Sequence, residues 1–501
     1  MILLVHRYTA VAVGVLMTLW CLSGFVMMYQ AYPELTEEER RQGLEPLDLA
    51  PCCAAARLGE TETDDAPLPS FRVEMHAGEP VLKLGQGRQR GAGADSGGAG
   101  LGLRTGHRVG TLSLEGVTEV ARRYASGHGV ENADTSVTLL DIDQWTVQTA
   151  RRNQPAYHVV FGDRAGSEIY VSGTSGEVFQ DTTRRERVLT RLGAIPHWLY
   201  PLQLRQNGPL WTQIVIWTSV VGTFLAATGL YVGISRYMRA RSRGRASLFR
   251  GWWYWHHIGG LVFGVLALTW VFSGLMTMNP WGVLQGRGGA DFGRQISAGG
   301  TWGELRQFLG AAAEKLPSGE FSQLRSVPFD GRLYVLAERA DGTGVRLDAG
   351  AEPAPLEQAA IETAVDAAVE AHGERVASFE ILTREDSYYY GHKRTADLPV
   401  YRVILDDAEG TRLYVDRETG SVRTVGPTSR LSRWIRTGLH DMDFAWIRAR
   451  PVWDLTVITL LAGVTLVCFT GTWMALKRIR LDWRRGRRKL RRRNRLPARA
   501  G

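Results

Sequence analysis

The chain has 501 residues, of which 44% are hydrophobic and 22% are charged, and its formal net charge is +9 at pH 7. This length is too great for one ordinary domain and predicts several. The four cysteines give no disulfide framework, which excludes a small secreted protein held together by disulfides. Cys21 and Cys468 lie in apolar runs and are interpreted as small packing residues. The adjacent Cys52 and Cys53 are interpreted as structural or incidental.

Four long apolar runs are present along the chain. They cover residues 9–31, 209–234, 252–279 and 451–476. Each run is long enough to cross about 30 Å of hydrocarbon as a helix that rises 1.5 Å per residue. The first run is too long for a cleaved signal and no small-residue cleavage site follows it, so we interpret it as an anchor. The sequence therefore predicts a membrane protein with four spans.

Basic residues concentrate on one side of the predicted spans. Six arginines lie between the second and third runs, and thirteen Lys and Arg with one Asp follow the fourth. Basic loops stay in the cytoplasm, which predicts cytoplasmic termini and two long outer segments. We interpret the arginine-rich tail as a contact for membrane lipid headgroups rather than for nucleic acid. The predicted segments are helix 1 (1–31), outer module 1 (32–208), helix 2 (209–234), an Arg-rich loop (235–251), helix 3 (252–279), outer module 2 (280–450), helix 4 (451–476) and a basic tail (477–501).

The two outer segments carry the same order of predicted elements. In the first, a strand pair (71–75 and 79–84) precedes a helix over 113–126, and in the second a helix covers 355–373. Alternating apolar residues after each helix predict strands with one buried face. These strands are TVQTARR (146–152), AYHVVFGD (156–163) and EIYVSG (168–173) in the first segment, and VYRVILDD (400–407) and TRLYVDRETGSV (411–422) in the second. Prolines, tyrosines and glycines recur 244 residues apart in these strands, so we predict two homologous α+β modules.

The spans also repeat. His6 precedes a Ser-Gly pair by the same interval as His256 does 250 residues later. His197 and His440 stand just before the second and fourth runs. The chain is therefore interpreted as one unit used twice: span, outer module, histidine, span. Two copies in the same orientation predict a four-helix bundle with a pseudo-twofold axis along the membrane normal. The predicted fold class is an α+β membrane protein with a four-helix bundle from a tandem duplication and two extracytoplasmic modules.

These residues resemble a known family. The stretches HRYTAVAVG…SG from His6 and WHHIGGLVFG…SG from Trp255, with the paired Y-x-V…Y-V…TG-x-V modules, are similar to the PepSY-associated transmembrane (PepSY-TM) proteins. The resemblance extends over nearly the whole chain. Members of this family include inner-membrane ferric-siderophore reductases that hold two b-type haems in such a bundle, while many others have no assigned activity. The resemblance therefore implies a bacterial inner-membrane protein with PepSY-like modules and two haem b groups.

The repeated histidines are the candidate haem ligands. Haem in a four-helix bundle needs two axial nitrogens from facing helices and small residues beside each ligand. Such residues follow His6 and His256 on the ligand's own helix face, at positions i+4 and i+8. They are Ala10 and Gly14 after His6, and Gly260 and Gly264 after His256. The alternative is close helix packing through the same residues, without a cofactor. The repeat favours His256 over His257, which points about 100° away around the helix.

His197 and His440 are the candidate ligands of a second haem near the outer surface, so that the two sites form an electron path across the bilayer. A structural histidine in an interfacial helix is the alternative. Met28 and Met278 are candidate thioether ligands for haem or copper, although they also suit apolar packing. The aromatic run 388–390, with His392 and basic residues after it, is either a contact for an anionic chelate or a half-buried part of a sheet.

The predicted function is electron transfer to ferric iron in a siderophore at the outer modules. The cytoplasmic parts hold no flavin or nicotinamide domain, and no G-x-G-x-x-G follows a strand, so a membrane quinol or a separate reductase is the expected donor. The alternative is a non-enzymatic anchored protein whose modules bind a periplasmic partner or restrain a peptidase. A third interpretation is a metal-uptake accessory that binds metal at the methionines.

Overall fold

The computed structural model describes residues 1–50, 63–85, 100–130, 134–285, 292–391 and 396–493, except for the side chains of 485–493. Cys52, Cys53, His392 and the two basic residues after His392 lie outside the described residues. The chain divides into two compact units. The membrane unit comprises Met1–Tyr32, Val188–Gln285 and Leu431–Gly501, and the sheet unit comprises Pro33–Arg187 and Gly286–Arg430.

The described residues form α-helices and antiparallel strands. The helices are α1 (Ile2–Met27), α2 (Glu37–Gln42), α3 (Leu114–Gly127), α4 (Arg184–Leu192), α5 (Ala194–His197), α6 (Leu202–Arg205), α7 (Gly208–Arg241), α8 (Trp252–Thr277), α9 (Phe292–Ile296), α10 (Trp302–Lys315), α11 (Gln358–Glu370), α12 (Pro427–Ser432) and α13 (Val452–Arg493). The strands are β1 (Phe71–His76), β2 (Glu79–Leu84), β3 (Leu101–Gly102), β4 (Thr135–Leu140), β5 (Ala156–Phe161), β6 (Glu168–Ser172), β7 (Val178–Thr182), β8 (Gln323–Ser326), β9 (Val335–Glu338), β10 (Gly344–Leu347), β11 (Val376–Leu382), β12 (Val400–Leu405), β13 (Arg412–Asp416) and β14 (Val422–Val425).

The membrane unit is a bundle of α1, α7, α8 and α13. Within the described residues these four helices are long and apolar enough to cross a membrane. α1 packs against α7 and α13, and α8 packs against the same two helices, so α1 and α8 are diagonal in the bundle. Asn207 begins α7, since its side chain accepts a hydrogen bond from the N–H of Leu210. α8 begins after Gly251, whose φ of +59° favours glycine. The chain is therefore a multi-pass membrane protein.

Two of the helices, α7 and α13, extend beyond the predicted spans. α1 lies within the predicted helix 1 (1–31), since it begins at Ile2 and ends at Met27, and His6 lies inside it. α7 continues to Arg241, into the segment predicted as a loop. Arginine is a good helix former, and cations in the last turn interact favourably with the helix dipole. α13 likewise continues into the basic tail as far as Arg493, since arginine is a good helix former.

The sheet unit contains two four-stranded antiparallel sheets with the same strand order, β4-β5-β6-β7 and β11-β12-β13-β14. Each sheet packs one face against one helix, α3 in the first sheet and α11 in the second. The buried residues in contact include Val117, Ala121, Val159 and Val171 in the first, and Ile361, Val365, Val403 and Leu413 in the second. The equal order is what a tandem duplication predicts, and the α+β class is confirmed.

The strand predicted at 146–152 is wrong. These residues form turns and a short 3₁₀ helix, and the strand in that place of the sheet is β4. The cause is Asp143, whose carboxylate accepts hydrogen bonds from the backbone N–H groups of Trp145 and Thr146 at 3.0 and 2.9 Å. Such local bonds compete with a sheet ladder and favour a turn.

A third sheet joins the two outer segments. Its strand order is β10-β9-β8-β1-β2-β3, and β1 pairs with β8 in the register Glu74 with Gln323. The β1–β2 pair was predicted and is confirmed, whereas its pairing with β8 was not predicted. Glu74 lies at the centre of this sheet, only 1% exposed, and forms ion pairs with Arg40 at 2.6 Å and Lys83 at 3.1 Å. The two outer segments therefore share this third sheet in addition to the four-stranded sheet that each of them forms.

Candidate functional site

His6 and His256 meet inside the bundle. Each is the fifth residue of its helix, α1 or α8. Their ring centres are 6.5 Å apart, and the ring planes are inclined by 32°. Because α1 and α8 are diagonal, the two side chains approach each other across the bundle interior. The structure thus brings together the two histidines that the repeat places in equivalent positions.

Backbone carbonyl groups of the other two spans hold both rings through Nδ1. Nδ1 of His6 lies 3.2 Å from the carbonyl oxygen of Leu225 in α7. Nδ1 of His256 lies 3.2 Å from the carbonyl oxygen of Val467 and 3.1 Å from Oγ1 of Thr470, both in α13. A carbonyl oxygen only accepts, so Nδ1 carries the proton of the neutral ring and Nε2 keeps its lone pair. Within the described residues neither Nε2 has a hydrogen-bond partner.

Glycines of the neighbouring helices lie against both rings. A Cβ atom at Gly229 of α7 would lie 2.6 Å from Cε1 of His6. A Cβ atom at Gly471 of α13 would lie 2.9 Å from Cε1 of His256. Real Cβ atoms do not approach other atoms this closely, so each ring occupies a space that only glycine leaves open.

His257 has a different environment from that of its neighbour His256. Its Nδ1 lies 2.9 Å from Oγ of Ser247, and its Nε2 lies 3.0 Å from the carbonyl oxygen of Gly233. The side chain is buried and packs edge-on against Phe249. Both ring nitrogens are therefore engaged within the protein, which is typical of a structural histidine rather than a metal ligand.

His197 and His440 form a second facing pair. His197 ends α5, and His440 ends the π-helical segment Arg433–His440. Their ring centres are 6.3 Å apart, and the ring planes are inclined by 60°. The two short helical segments that carry them contact α1 and α8 respectively. The structure thus brings together the second pair of repeated histidines.

Two buried serines hold this second pair. Nδ1 of His197 lies 3.1 Å from Oγ of Ser23 and 3.1 Å from the carbonyl oxygen of Trp20. Nδ1 of His440 lies 3.2 Å from Oγ of Ser273. Both serine hydroxyls donate to carbonyl groups of their own helices, so their oxygens are acceptors for the Nδ1 protons. Nε2 is again the nitrogen that has no hydrogen-bond partner in the described part of the chain.

Burial, with a contribution from the nearby His440, lowers the pKa of His197 to about 4. His197 is therefore neutral at physiological pH. A histidine ligates a metal only as the neutral imidazole, so this protonation state suits ligation.

Both pairs have the spacing of two imidazoles on one iron. A metal–nitrogen bond of about 2.0 Å plus roughly 1.2 Å from nitrogen to ring centre places two opposed rings roughly 6.4 Å apart. The observed separations are 6.5 Å and 6.3 Å. Among the described residues no cluster of three or more His, Cys, Asp or Glu side chains is arranged to bind a metal. Two imidazoles alone suit an iron whose other four ligands come from a porphyrin. The four histidines thus fit haem.

The two pairs lie at different depths in the bundle. His6 and Ser23, which contacts His197, are separated by 17 residues of α1, or about 25 Å of helix. The same interval separates His256 from Ser273 in α8. The pairs therefore occupy two separate levels of the membrane unit.

Some of the predicted small residues serve helix packing instead. A Cβ atom at Gly14 would lie 3.0 Å from Thr472 of α13, and one at Gly264 would lie 3.2 Å from Leu230 of α7. These two glycines are therefore close-packing positions, which was the alternative to a haem groove. Gly260 differs, since within the described residues no atom other than the backbone of its own helix and its chain neighbours lies within 4 Å of a Cβ atom placed there.

Met28 and the aromatic run have packing partners, whereas Met278 lies at a helix end. Met28 is buried in an apolar cluster with Trp453 and Leu461, and Met278 caps the end of α8. In the aromatic run 388–390, the first tyrosine lies under the guanidinium of Arg412 and the second stacks on Tyr414 at 5.1 Å. These tyrosines thus take part in packing of their own sheet.

Sequence reasoning missed the groups that orient the histidines. The carbonyl groups of Leu225 and Val467 could not be predicted, because every residue has a backbone carbonyl group and the residue type does not show which one accepts a bond from a histidine. Ser23 and Ser273 did have a signal in the sequence, because a Ser-Gly pair follows His6 and His256 at the same interval. That repeat was used only to align the two halves, although a repeated buried hydroxyl in a span indicates a polar partner.

The comparisons with known proteins identify a family. The model of the family described as PepSY-associated TM region matches residues 3–321, which is more than half of the chain. The comparison with curated proteins finds no match.

Proposed function

This chain belongs to the PepSY-associated TM region family, and we propose that it is a haem-containing electron-transfer protein of the bacterial inner membrane that reduces ferric iron on the periplasmic side. One observation carries the proposal: the same arrangement occurs twice, with facing imidazoles whose centres are 6.5 Å and 6.3 Å apart. His6 with His256 would hold one haem b, and His197 with His440 would hold the other.

Haem iron, when bound, supplies one-electron redox chemistry that no side chain of this protein offers. The chain's own residues hold and orient the ligands. The carbonyl groups of Leu225 and Val467 and the hydroxyls of Ser23 and Ser273 fix the Nδ1 tautomer, which presents Nε2 to a metal. The apolar walls of the bundle exclude water, and a dry site of this kind tunes a redox potential.

The charge distribution supports a direction for the path. The His6–His256 pair lies towards the end of the bundle where α7 ends and α8 begins, and the last turn of α7 carries Arg239 and Arg241. Basic segments next to spans stay in the cytoplasm, so this pair would face the cytoplasm and the His197–His440 pair the periplasm. Electrons would enter at the first pair and leave at the second.

The donor and acceptor follow from what the chain contains. The sequence has no nucleotide-binding motif behind a strand, so a membrane quinol or a separate reductase would supply the electrons. A ferric siderophore is the acceptor that we propose. Its hard oxygen ligands suit ferric iron, and reduction weakens their hold.

A spectrum of the purified protein tests the proposal. We expect dithionite to produce low-spin b-type signals, with two haems per chain. The double variant His6→Ala with His256→Ala should lose one signal, and His197→Ala with His440→Ala should lose the other. His257→Ala is the matched control, because it removes a buried histidine next to His256 whose nitrogens are both engaged. A colourless wild-type protein would contradict the proposal.

A binding role for the sheet unit is the second candidate. β4 and β11 are edge strands of their sheets, and they leave Leu139 70% and Ile381 42% exposed. Exposed edges of this kind can pair with an extended segment of a partner, such as a periplasmic peptidase. This function predicts a protein without haem whose histidine variants keep partner binding unchanged, which the same preparations would show.

A further inference from the structure

Two cysteines that are far apart in sequence are in contact within the membrane unit. Sγ of Cys21 in α1 lies 3.8 Å from Sγ of Cys468 in α13. Both side chains are free thiols and half-buried. The sequence suggested only that each is a small packing residue.

The helices that carry the thiols are closely packed on both sides of this contact. On one side, the hydroxyls of Thr18 and Thr472 lie 2.9 Å apart. On the other, a Cβ atom at Gly24 would lie 3.4 Å from Leu461. The contact between the thiols is thus part of a continuous interface between α1 and α13.

The pair lies between the groups that hold the two histidine pairs. Cys468 directly follows Val467, whose carbonyl oxygen accepts from His256. Cys21 directly follows the residue whose carbonyl oxygen accepts from His197. A bond between the two sulfurs would therefore connect the turn of α13 that holds one histidine pair to the turn of α1 that holds the other.

The equivalent positions in the other half of the chain carry no sulfur. Val271 stands 250 residues after Cys21, and Ala226 stands 242 residues before Cys468. These are the offsets that relate the spans of the two halves. Packing at this interface therefore does not require thiols, because valine and alanine occupy the matching places.

We propose that Cys21 and Cys468 form a redox-active dithiol that closes into a disulfide between α1 and α13. A disulfide has an S–S distance of about 2.05 Å, so the sulfurs would approach each other by roughly 1.8 Å. Rotation about χ1 moves a sulfur atom by more than this distance. The proposal is independent of haem and goes beyond the proposed function.

The oxidant is of the quinone class. Charged oxidants stay out of the hydrocarbon, where both thiols lie, whereas a quinone dissolves in it. Two S–H bonds break and one S–S bond forms. The two electrons and two protons released convert one quinone to its quinol. Disulfide formation without a catalyst is slow, on the order of seconds to hours.

The test uses the full-length protein in lipid nanodiscs, with Cys52→Ser and Cys53→Ser to leave only the two thiols of interest. Decylubiquinone is the probe, because its fully substituted ring does not add thiols. After incubation, free thiols are blocked with N-ethylmaleimide, and the protein is digested without reductant and analysed by mass spectrometry. We expect a linked Cys21–Cys468 peptide, loss of label at both sites and full recovery of labelling after dithiothreitol.

The matched control is Cys21→Val, which installs the residue of the equivalent position and should leave Cys468 fully labelled after quinone treatment. Complete labelling of both thiols in the unaltered pair would overturn the proposal. A link that forms with diamide but not with decylubiquinone would overturn the assignment of the oxidant. A colourless protein that nevertheless forms the link would contradict the proposed haem function and leave this proposal intact.

Discussion

The hydroxyl oxygen of Thr470 lies 3.1 Å from Nδ1 of His256. Its equivalent in the other half is Thr228, whose hydroxyl donates to the carbonyl oxygens of Phe224 and Leu225 and, within the described residues, does not reach His6. His256 thus has two acceptors for its Nδ1 proton, and His6 has one. Two histidines that the repeat makes equivalent therefore differ by one hydrogen bond.

Thr470→Val should weaken haem binding at this pair. The variant removes one acceptor of the His256 Nδ1 proton and keeps the carbonyl group of Val467. Loss of an outer partner of a metal-bound histidine typically lowers affinity about 10- to 100-fold, and we expect the lower end. Transfer of haem from the protein to apomyoglobin measures the effect. Thr228→Val is the matched control and should transfer haem at the wild-type rate. Equal losses in both variants would contradict this role of Thr470.

Alanine in place of Gly471 or Gly229 should prevent the neighbouring histidine from holding haem. The added Cβ atom would lie 2.9 Å from His256 or 2.6 Å from His6, so the ring must turn away from its carbonyl partner. We expect each variant to lose one of two b-type signals. Gly233→Ala is the control, because its Cβ atom would lie at an ordinary 3.6 Å from Leu261. Retention of both signals in all three variants would contradict the assignment of this pair.

The sequence was sufficient to predict the features that depend on local pattern and on repetition. Apolar runs predicted the four spans, and the equal intervals after His6 and His256 placed these two histidines in equivalent positions. The β1–β2 pair was also predictable, since its two strands are adjacent in the chain. The hydrogen bond from His6 to the backbone carbonyl of Leu225 was not predictable, because residue type does not indicate which carbonyl group accepts a bond.

Non-local pairing could not be predicted from the sequence. β1 and β8 are separated by about half of the chain in sequence, and neither strand contains a pattern that indicates which strand it pairs with. The strand predicted at 146–152 failed for a local reason, because the Asp143 carboxylate favours a turn over an otherwise alternating pattern. Strand register and turn bonds of this kind appear only when the contacts of the folded chain are known.

Glu74→Ala should strongly destabilise the sheet unit. Glu74 is buried between Arg40 and Lys83, and its removal leaves both cations without this carboxylate. Breaking a buried ion pair in this way costs about 3–5 kcal/mol. Faster amide hydrogen exchange in β1, β2 and β8 of the full-length protein would measure the loss. Glu352→Ala is the matched control, since its pair with Lys315 is 63% and 44% exposed and contributes about 0–1 kcal/mol. Similar exchange in the two variants would contradict the buried-pair argument.

Asp181 should make the sheet unit less stable as the pH rises from about 4 to about 6. Burial, with a contribution from Glu39, raises the pKa of Asp181 to about 6, while Tyr124 donates a hydrogen bond to its carboxyl group at 3.0 Å. In the unfolded chain the pKa is about 3.9, so folding favours the protonated form. The stability that this proton contributes is therefore complete below about pH 4 and lost as the pH rises through the folded pKa.

Asp181→Asn should remove this dependence, because its amide oxygen still accepts from Tyr124 and cannot ionise. We expect the variant to be more stable than wild type at pH 7 by about 1–3 kcal/mol, and the difference to shrink towards pH 4. Thermal unfolding of the full-length protein between these pH values measures it. Asp341→Asn is the control. Hydrogen bonds from the hydroxyl and the N–H of Thr343 lower the pKa of Asp341, so its contribution to stability is lost only as the pH falls below about 4, and the difference between this variant and wild type should stay nearly constant from pH 7 to pH 4. Parallel pH profiles for wild type and Asp181→Asn would show that the carboxyl group of Asp181 titrates normally.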